Sequence, residues 1–221
     1  MSTVARVHNQ PSQWQITVAA EGIAAAQFAR CGFDVSIQSG RDKPSYDLVV
    51  AKAGQLLRVL VNGSQDGSWD LTHAYLRRTA GLTANKANCQ WAINQWLNHR
   101  GSHVVCCLVQ FQGTSMEDLP RIYLASPHEI AHRLRETAER LCESTLYEKY
   151  EWAPDGEGAP TIKWLPSSWV FSGQRIQELL EMGKTAAPKP TSLQKAKSSV
   201  EDWPAAEDSI LNSEEEFVRT A

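Results

Sequence analysis

The sequence predicts an α/β fold: a helix, a three-strand meander, a second helix and a fourth strand, with added helices toward the C-terminus. Three observations predict it. Helical and strand periodicities alternate along the chain, a glycine-centred hairpin signal joins two strongly apolar strands, and one later strand is apolar at nearly every position.

The first helix is expected over about residues 16 to 31. Its sequence "ITVAAEGIAAAQFARCG" sets Val18, Ile23 and Phe28 among alanines, which are good helix formers, and Gly32 supplies a C-terminal cap. "FDVSIQ" then alternates Phe33, Val35 and Ile37 with polar residues, the period-two pattern of a strand with one buried face. "YDLVV" and "LLRVLV" form the second and third strands, and Gly54 in the intervening "AKAGQ" suits a tight turn. "TANKANCQWAINQWLNHRG" repeats Cys89, Ala92, Ile93, Trp96 and Leu97 at helical spacing, with Gly101 closing it. Trp91 and Trp96 are both expected in the core. "HVVCCLVQF" reads as a strand covered on both faces, and the adjacent Cys106 and Cys107 as inert buried thiols. A short strand "RIYLA", a helix "PHEIAHRLRETAERLCE", a strand "TLYEKYEW", a loop flanked by Trp152, Trp164 and Trp169, and a last helix from about Ser172 complete a domain over residues 1 to 183.

After Met182 the composition changes. Residues 184 to 221 are basic with Pro and Ala at first and acidic afterwards, with few apolar side chains to offset the entropy of ordering. This tail is expected to be largely disordered, with residues 200 to 221, carrying Trp203, Ile210, Leu211 and Phe217, able to dock on a protein partner.

The chain has 221 residues, 42% of them apolar, enough for one sizeable core. A net charge of −3 excludes a global pull toward polyanions, so any nucleic-acid contact must be local. Five cysteines without Cys-x-x-Cys spacing argue against a disulfide framework or zinc knuckle and fit a reducing cytoplasm. Arg6, His8 and Gln13 interrupt any apolar core near the start and no apolar run reaches membrane-spanning length, so neither a secretory leader nor a membrane span is expected.

"HEIAH", residues 128 to 132, matches the His-Glu-x-x-His pattern of zinc proteases. Three features oppose that chemistry. Ser126, Pro127 and Glu129 form a helix-start signature in which Glu129 completes a capping box. The apolar stripe Ile130, Leu134, Ala138, Leu141 leaves His128 and His132 on the wetter side, and no third ligand follows.

The order of elements, together with Glu21 in the first helix, Asp47 opening the second strand and "RVLV" ending the third, resembles the PD-(D/E)XK nuclease superfamily, which includes restriction endonucleases and archaeal Holliday-junction resolvases. The resemblance covers about residues 16 to 111. It implies a restriction-endonuclease-like core in which Glu21 and Asp47 would hold Mg²⁺ beside an acid and a lysine two apart on the third strand. Such a cation prefers carboxylate oxygens and water, polarises the phosphate and activates the attacking water, while the lysine offsets developing charge.

At those two positions this chain carries Leu60 and Asn62. Neither supplies the expected charge, and loss of one such group typically costs about 10² to 10³ in rate. The resemblance therefore implies an impaired or atypical nuclease, binding DNA, RNA or a protein. Two alternatives stand beside it: an active Mg²⁺-dependent endonuclease in which Lys52, Asp66 or Lys86 replaces the missing groups, and an assembly protein that docks through its acidic tail. Arg77, Arg78, Lys86 and Arg100 are the candidate phosphate contacts, although each taken alone also reads as ordinary surface charge.

Overall fold

The computed structural model describes residues 11–38, 45–76, 86–100, 104–141, 143–152 and 161–185. All of them belong to one unit, Met1–Ala187. The fold is mixed α/β, with one mixed five-stranded sheet between helices. Arg77, Arg78 and the tail from residue 186 onward lie outside the described residues. No helix among the described residues is long and apolar enough to cross a membrane.

Helix α1 spans Gln13–Arg30 and starts three residues before the expected position. The reason is a capping box: the Ser12 hydroxyl accepts from the Gln15 N–H, and the Gln15 side chain accepts from the Ser12 N–H at 2.8 Å. This start sets the helix phase. Ile16, Ala20, Ala24 and Phe28 face the core, and Val18 is 47% exposed.

Strands β1 (Asp34–Ile37), β2 (Leu48–Lys52) and β3 (Gln55–Ser64) form the predicted antiparallel meander. The β2–β3 turn has positive φ at both central residues, 49° at Ala53 and 74° at Gly54, the twist that suits a two-residue hairpin. Packing from the core reaches Phe33 and Val35 but not the far end of edge strand β1, so Ile37 is 53% exposed rather than buried.

A short strand β4 (Ser68–Trp69), a one-turn helix α2 (His73–Leu76) and helix α3 (Lys86–Asn98) lead to β5 (Val104–Gln110). β5 pairs parallel to β3 and antiparallel to β6 (Arg121–Ala125), giving the sheet order β1-β2-β3-β5-β6. Every residue of β5 is buried, as its continuous apolar run requires. Burial pushes the Cys106 thiol up to about 12 and the Cys107 thiol higher still, which keeps both protonated and inert.

Helix α4 (Pro127–Leu141) follows, then β7 (Leu146–Tyr147), β8 (Lys149–Trp152), β9 (Thr161–Trp164), a 3₁₀ turn at Ser167–Trp169 and helix α5 (Gly173–Thr185). β7 pairs with β4, and β8 with β9 in a separate ribbon. Strand β9 replaces part of the expected loop, and its Trp164 is 56% exposed while Trp169 is buried.

Two apolar layers flank the sheet. One joins α1 and α5 to Leu57, Val59, Val61, Val105 and Cys107. The other joins α3 and α4 to Cys106, Leu108 and Tyr123, with Leu60 packed against it. Cys89, Ala92, Ile93 and Trp96 provide the buried face of α3, whereas Trp91 lies on the outer side and is 42% exposed, contrary to expectation.

Candidate functional site

The site grows from the end of the sheet where β2 begins and β3 runs on beyond it. Asp47 precedes β2, and its N–H donates to the Val59 carbonyl at 2.8 Å, which fixes it beside β3. Past that point no strand among the described residues pairs with β3 on this side. The Asp47 carboxylate takes the strand's place: Oδ2 accepts the Val61 N–H at 2.6 Å, and the residue is 6% exposed. The acid expected to hold a metal thus completes the backbone hydrogen bonding of β3.

Beside it opens a cleft of about 510 Å³. Asp47, Leu60, Asn62 and Asp66 line it, joined by Gln13 and Thr17 from α1 and by Asp70 and His73. The close approach of α1 depends on Gly63, where a Cβ would lie 2.8 Å from Ile16 Cγ2 and 2.9 Å from the Ile16 carbonyl oxygen. Only a residue without a side chain lets the helix bring Gln13 and Thr17 to the cleft.

Asp66 is held by its own turn. Its Oδ1 accepts from the Ser64 hydroxyl at 3.0 Å, the Ser68 hydroxyl at 2.9 Å and the Ser68 N–H at 3.0 Å. Desolvation works to raise its pKa, but these donors outweigh it and hold the carboxyl below the usual 3.8. Buried Gln110 braces the turn from β5 by donating to the Ser64 hydroxyl at 3.1 Å. Asp70 and His73 approach to 3.6 Å. The Asn62 carbonyl accepts from Trp69 Nε1 at 3.1 Å, while buried Asn62 Nδ2 has no hydrogen-bond partner among the described residues.

Of the described residues singled out from the sequence, the structure brings Asp47, Leu60, Asn62 and Asp66 to the cleft and leaves Glu21, Lys52, Lys86 and Arg100 outside its lining. Glu21 is partly buried on α1, one turn beyond Thr17. Lys52 sits at the opposite end of the hairpin, where its ammonium donates to the Cys31 carbonyl at 2.8 Å and lies 5.2 Å from the centre of the Phe33 ring. Lys86 is exposed at the start of α3. The Arg100 guanidinium lies over the Trp96 ring at 5.4 Å, and its buried Nε has no hydrogen-bond partner among the described residues.

Gln13, Thr17, Asp70 and His73 were not apparent as site residues, because they reach the cleft from α1 and from the segment after β4. Their local sequence carries no motif. Nor does the His-Glu-x-x-His segment provide a second centre. Glu129 caps α4 as expected, accepting the Ser126 N–H at 2.7 Å, and also forms an ion pair with Arg175 at 2.7 Å. His132 is 76% exposed and lies 3.7 Å from Glu136.

The donor set does not fit the divalent cation implied by the nuclease resemblance. Leu60 has no donor atom, Asn62 is a neutral amide, and one Asp47 oxygen is engaged by Val61 N–H. Among the described residues, no group of three or more His, Cys, Asp and Glu side chains is close enough to hold a metal ion.

A network centred on buried Glu148 joins β6 to the turn that carries Asp66. Glu148, 3% exposed, accepts from Arg121 Nε at 2.6 Å, Arg121 Nη2 at 2.8 Å and the Tyr123 hydroxyl at 2.7 Å. Its backbone N–H donates to the Gly67 carbonyl, next to Asp66. Burial works to raise the Glu148 pKa, and the Arg121 and Tyr123 hydrogen bonds more than offset it, leaving the carboxyl below the ordinary 4.5. A depressed folded-state pKa stabilises the fold above the unfolded value of 4.5 and loses that contribution as pH falls through the folded value. Glu148→Gln is therefore expected to cost about 2 kcal/mol at pH 7. Urea titrations at pH 7 and at pH 3.5 should show the gap between the two proteins narrowing in acid, and an unchanged gap would refute the linkage.

No family model matches this sequence, and neither the curated proteins nor the solved structures include a match to it. The class that the fold defines is a mixed α/β protein with a polar, carboxylate-lined cleft at one end of its central sheet.

Proposed function

We propose that the chain carries a PD-(D/E)XK nuclease-like core whose hydrolytic strand has lost its charge, and that it acts by binding rather than by cutting. The observation that carries this reading is the pairing of Asp47 with β3. The acid stands at the entrance to β2 as the nuclease pattern requires, yet it is buried against Val61 N–H, and the neighbouring positions hold Leu60 and Asn62. The antiparallel meander β1-β2-β3 followed by parallel β5 supports the same architecture. Hydrolysis of a phosphodiester needs charge poised against the developing oxyanion, and these three positions offer it only one carboxylate.

The partner favoured at the cleft is a protein rather than DNA or RNA. Asp47, Asp66 and Asp70 line the cleft with no Lys or Arg among its described residues, a field that repels phosphates in the absence of bridging cations. Lys86 is not among the residues that line it.

A pair of substitutions tests the reading. Asp47→Asn keeps an oxygen that can accept from Val61 N–H, whereas Asp47→Ala leaves that buried donor unpaired at a cost of about 2 kcal/mol. The wild type is expected to leave plasmid and single-stranded DNA intact in Mg²⁺ or Mn²⁺, and Asp47→Asn to be more stable than Asp47→Ala. Cation-dependent cleavage that disappears in Asp47→Asn would overturn the proposal in favour of an active nuclease.

A further inference from the structure

We propose that the outer face of α1 and the adjoining cleft form one docking surface for a basic, apolar segment of a partner protein. The inference rests on the cleft being a binding site and adds the chemistry of what it binds.

The apolar half of the surface follows from the helix phase. The capping box at Ser12 turns Ile16, Ala20, Ala24 and Phe28 inward, and this rotation carries Trp14 and Val18 outward. Trp14 is 73% exposed and Val18 47%, one turn apart and about 6 Å along the axis. An indole held in water on a regular helix is costly surface for a monomer and a frequent anchor in interfaces. It has no counterpart in the packing of the two cores.

The polar half is contiguous with it. Thr17 stands between Trp14 and Val18 in the chain and lines the cleft together with Gln13. On the helical wheel Glu21 falls between Thr17 and the Trp14–Val18 stripe, so the face passes from apolar to acidic without a break. Asp47, Asp66 and Asp70 continue that acidic character into the cleft, and Asp66 is kept ionised by its three donors. Charge complementarity selects a Lys or Arg side chain for the cleft, and the indole selects an aliphatic or aromatic one beside it. A nucleic acid offers the wrong sign to the cleft.

The full chain panned against phage-displayed random dodecapeptides tests the assignment. Enriched peptides are expected to combine Lys or Arg with an aliphatic or aromatic residue. A fluorescent synthetic copy of the strongest should bind about tenfold more weakly to Trp14→Ala and about threefold more weakly to Asp70→Asn, with affinity falling as salt rises. Both side chains are largely exposed, so both variants should retain the wild-type unfolding midpoint.

Absence of enrichment, enrichment of acidic peptides, or binding indifferent to both substitutions would overturn the docking surface. So would a short DNA duplex that binds in a manner weakened by Trp14→Ala. Cleavage of plasmid in Mg²⁺ bears on the other reading: it would remove the non-hydrolytic assignment and leave the docking surface to stand or fall on the peptides.

Discussion

Arg175→Met is expected to lower the stability of the protein by about 3 kcal/mol and its unfolding midpoint by on the order of 10 °C. Arg175 is 5% exposed and ties three elements together. From the first turn of α5 it sends Nη2 to both Glu129 oxygens at 2.7 Å and Nε to the Leu124 carbonyl at 3.1 Å, with Nη1 on Glu178 at 3.3 Å. Methionine retains much of the aliphatic volume but none of the donors. Glu129 would then keep its capping bonds to Ser126 while losing its cation, and the Leu124 carbonyl on β6 would lose its donor from Arg175. The cost exceeds that of a surface ion pair because both partners have been withdrawn from most of their water, Arg175 more completely than Glu129.

Urea unfolding of Arg175→Met, Glu129→Gln and the double variant measures this coupling. The expected double variant is less destabilised than the sum of the two, since removing the second partner also removes an uncompensated charge. Additivity of the two single effects would show that the pair contributes no interaction energy. Acid supplies an independent check. Burial works to raise the Glu129 pKa, but the Arg175 and Ser126 hydrogen bonds hold it below the ordinary 4.5, so the wild type loses this stabilisation as pH falls through the folded-state value.

Neither Arg175 nor its role was legible in the sequence, whereas Glu129 was. The difference is separation along the chain. Ser126 and Glu129 stand three residues apart and declare a capping box locally, but Arg175 meets Glu129 across 46 residues. The same distinction runs through the fold. β5 announced its burial by unbroken apolar residues, and α3 by Cys89, Ala92, Ile93 and Trp96 at helical spacing. In α1 the sequence marked the helix but not its buried face, because alanines at 20 and 24 carry the buried stripe and offer little contrast with their neighbours. Val18, with the larger hydrophobic side chain, faces outward instead. Within the site, Asp47, Leu60 and Asn62 were singled out only through the resemblance to the nuclease pattern, in which residues two apart on the third strand share a face. Asp70, His73, Gln13 and Thr17 join them only through the path of the chain, which no local pattern encodes.

Gly63→Ala is expected to destabilise the protein by about 3 kcal/mol and to disturb the cleft itself. The reasoning begins with the backbone of β3. At Gly63 a methyl group would stand 2.8 Å from Ile16 Cγ2, 2.9 Å from Ala20 Cβ and 2.9 Å from the Ile16 carbonyl oxygen. The Ile16 side chain could rotate away, but Ala20 Cβ and the Ile16 carbonyl belong to the helix framework and cannot. Relief therefore requires α1 to move off the strand as a unit, since a helix resists bending within one turn. That movement would loosen Ile16, Ala20 and Ala24 in the core and withdraw Gln13 and Thr17 from the cleft. Thermal unfolding reads the first effect. The fluorescence of Trp14 bears on the second only with the other tryptophans replaced, so the sharper measurement is peptide binding to Gly63→Ala under conditions where the variant remains folded. Binding should weaken although Trp14, Val18 and Asp70 are all retained, because the two halves of the surface are held in register by the contact at Gly63. Unchanged stability together with unchanged binding would mean that α1 and β3 tolerate a wider separation, and that the position of the helix beside the cleft does not depend on this glycine.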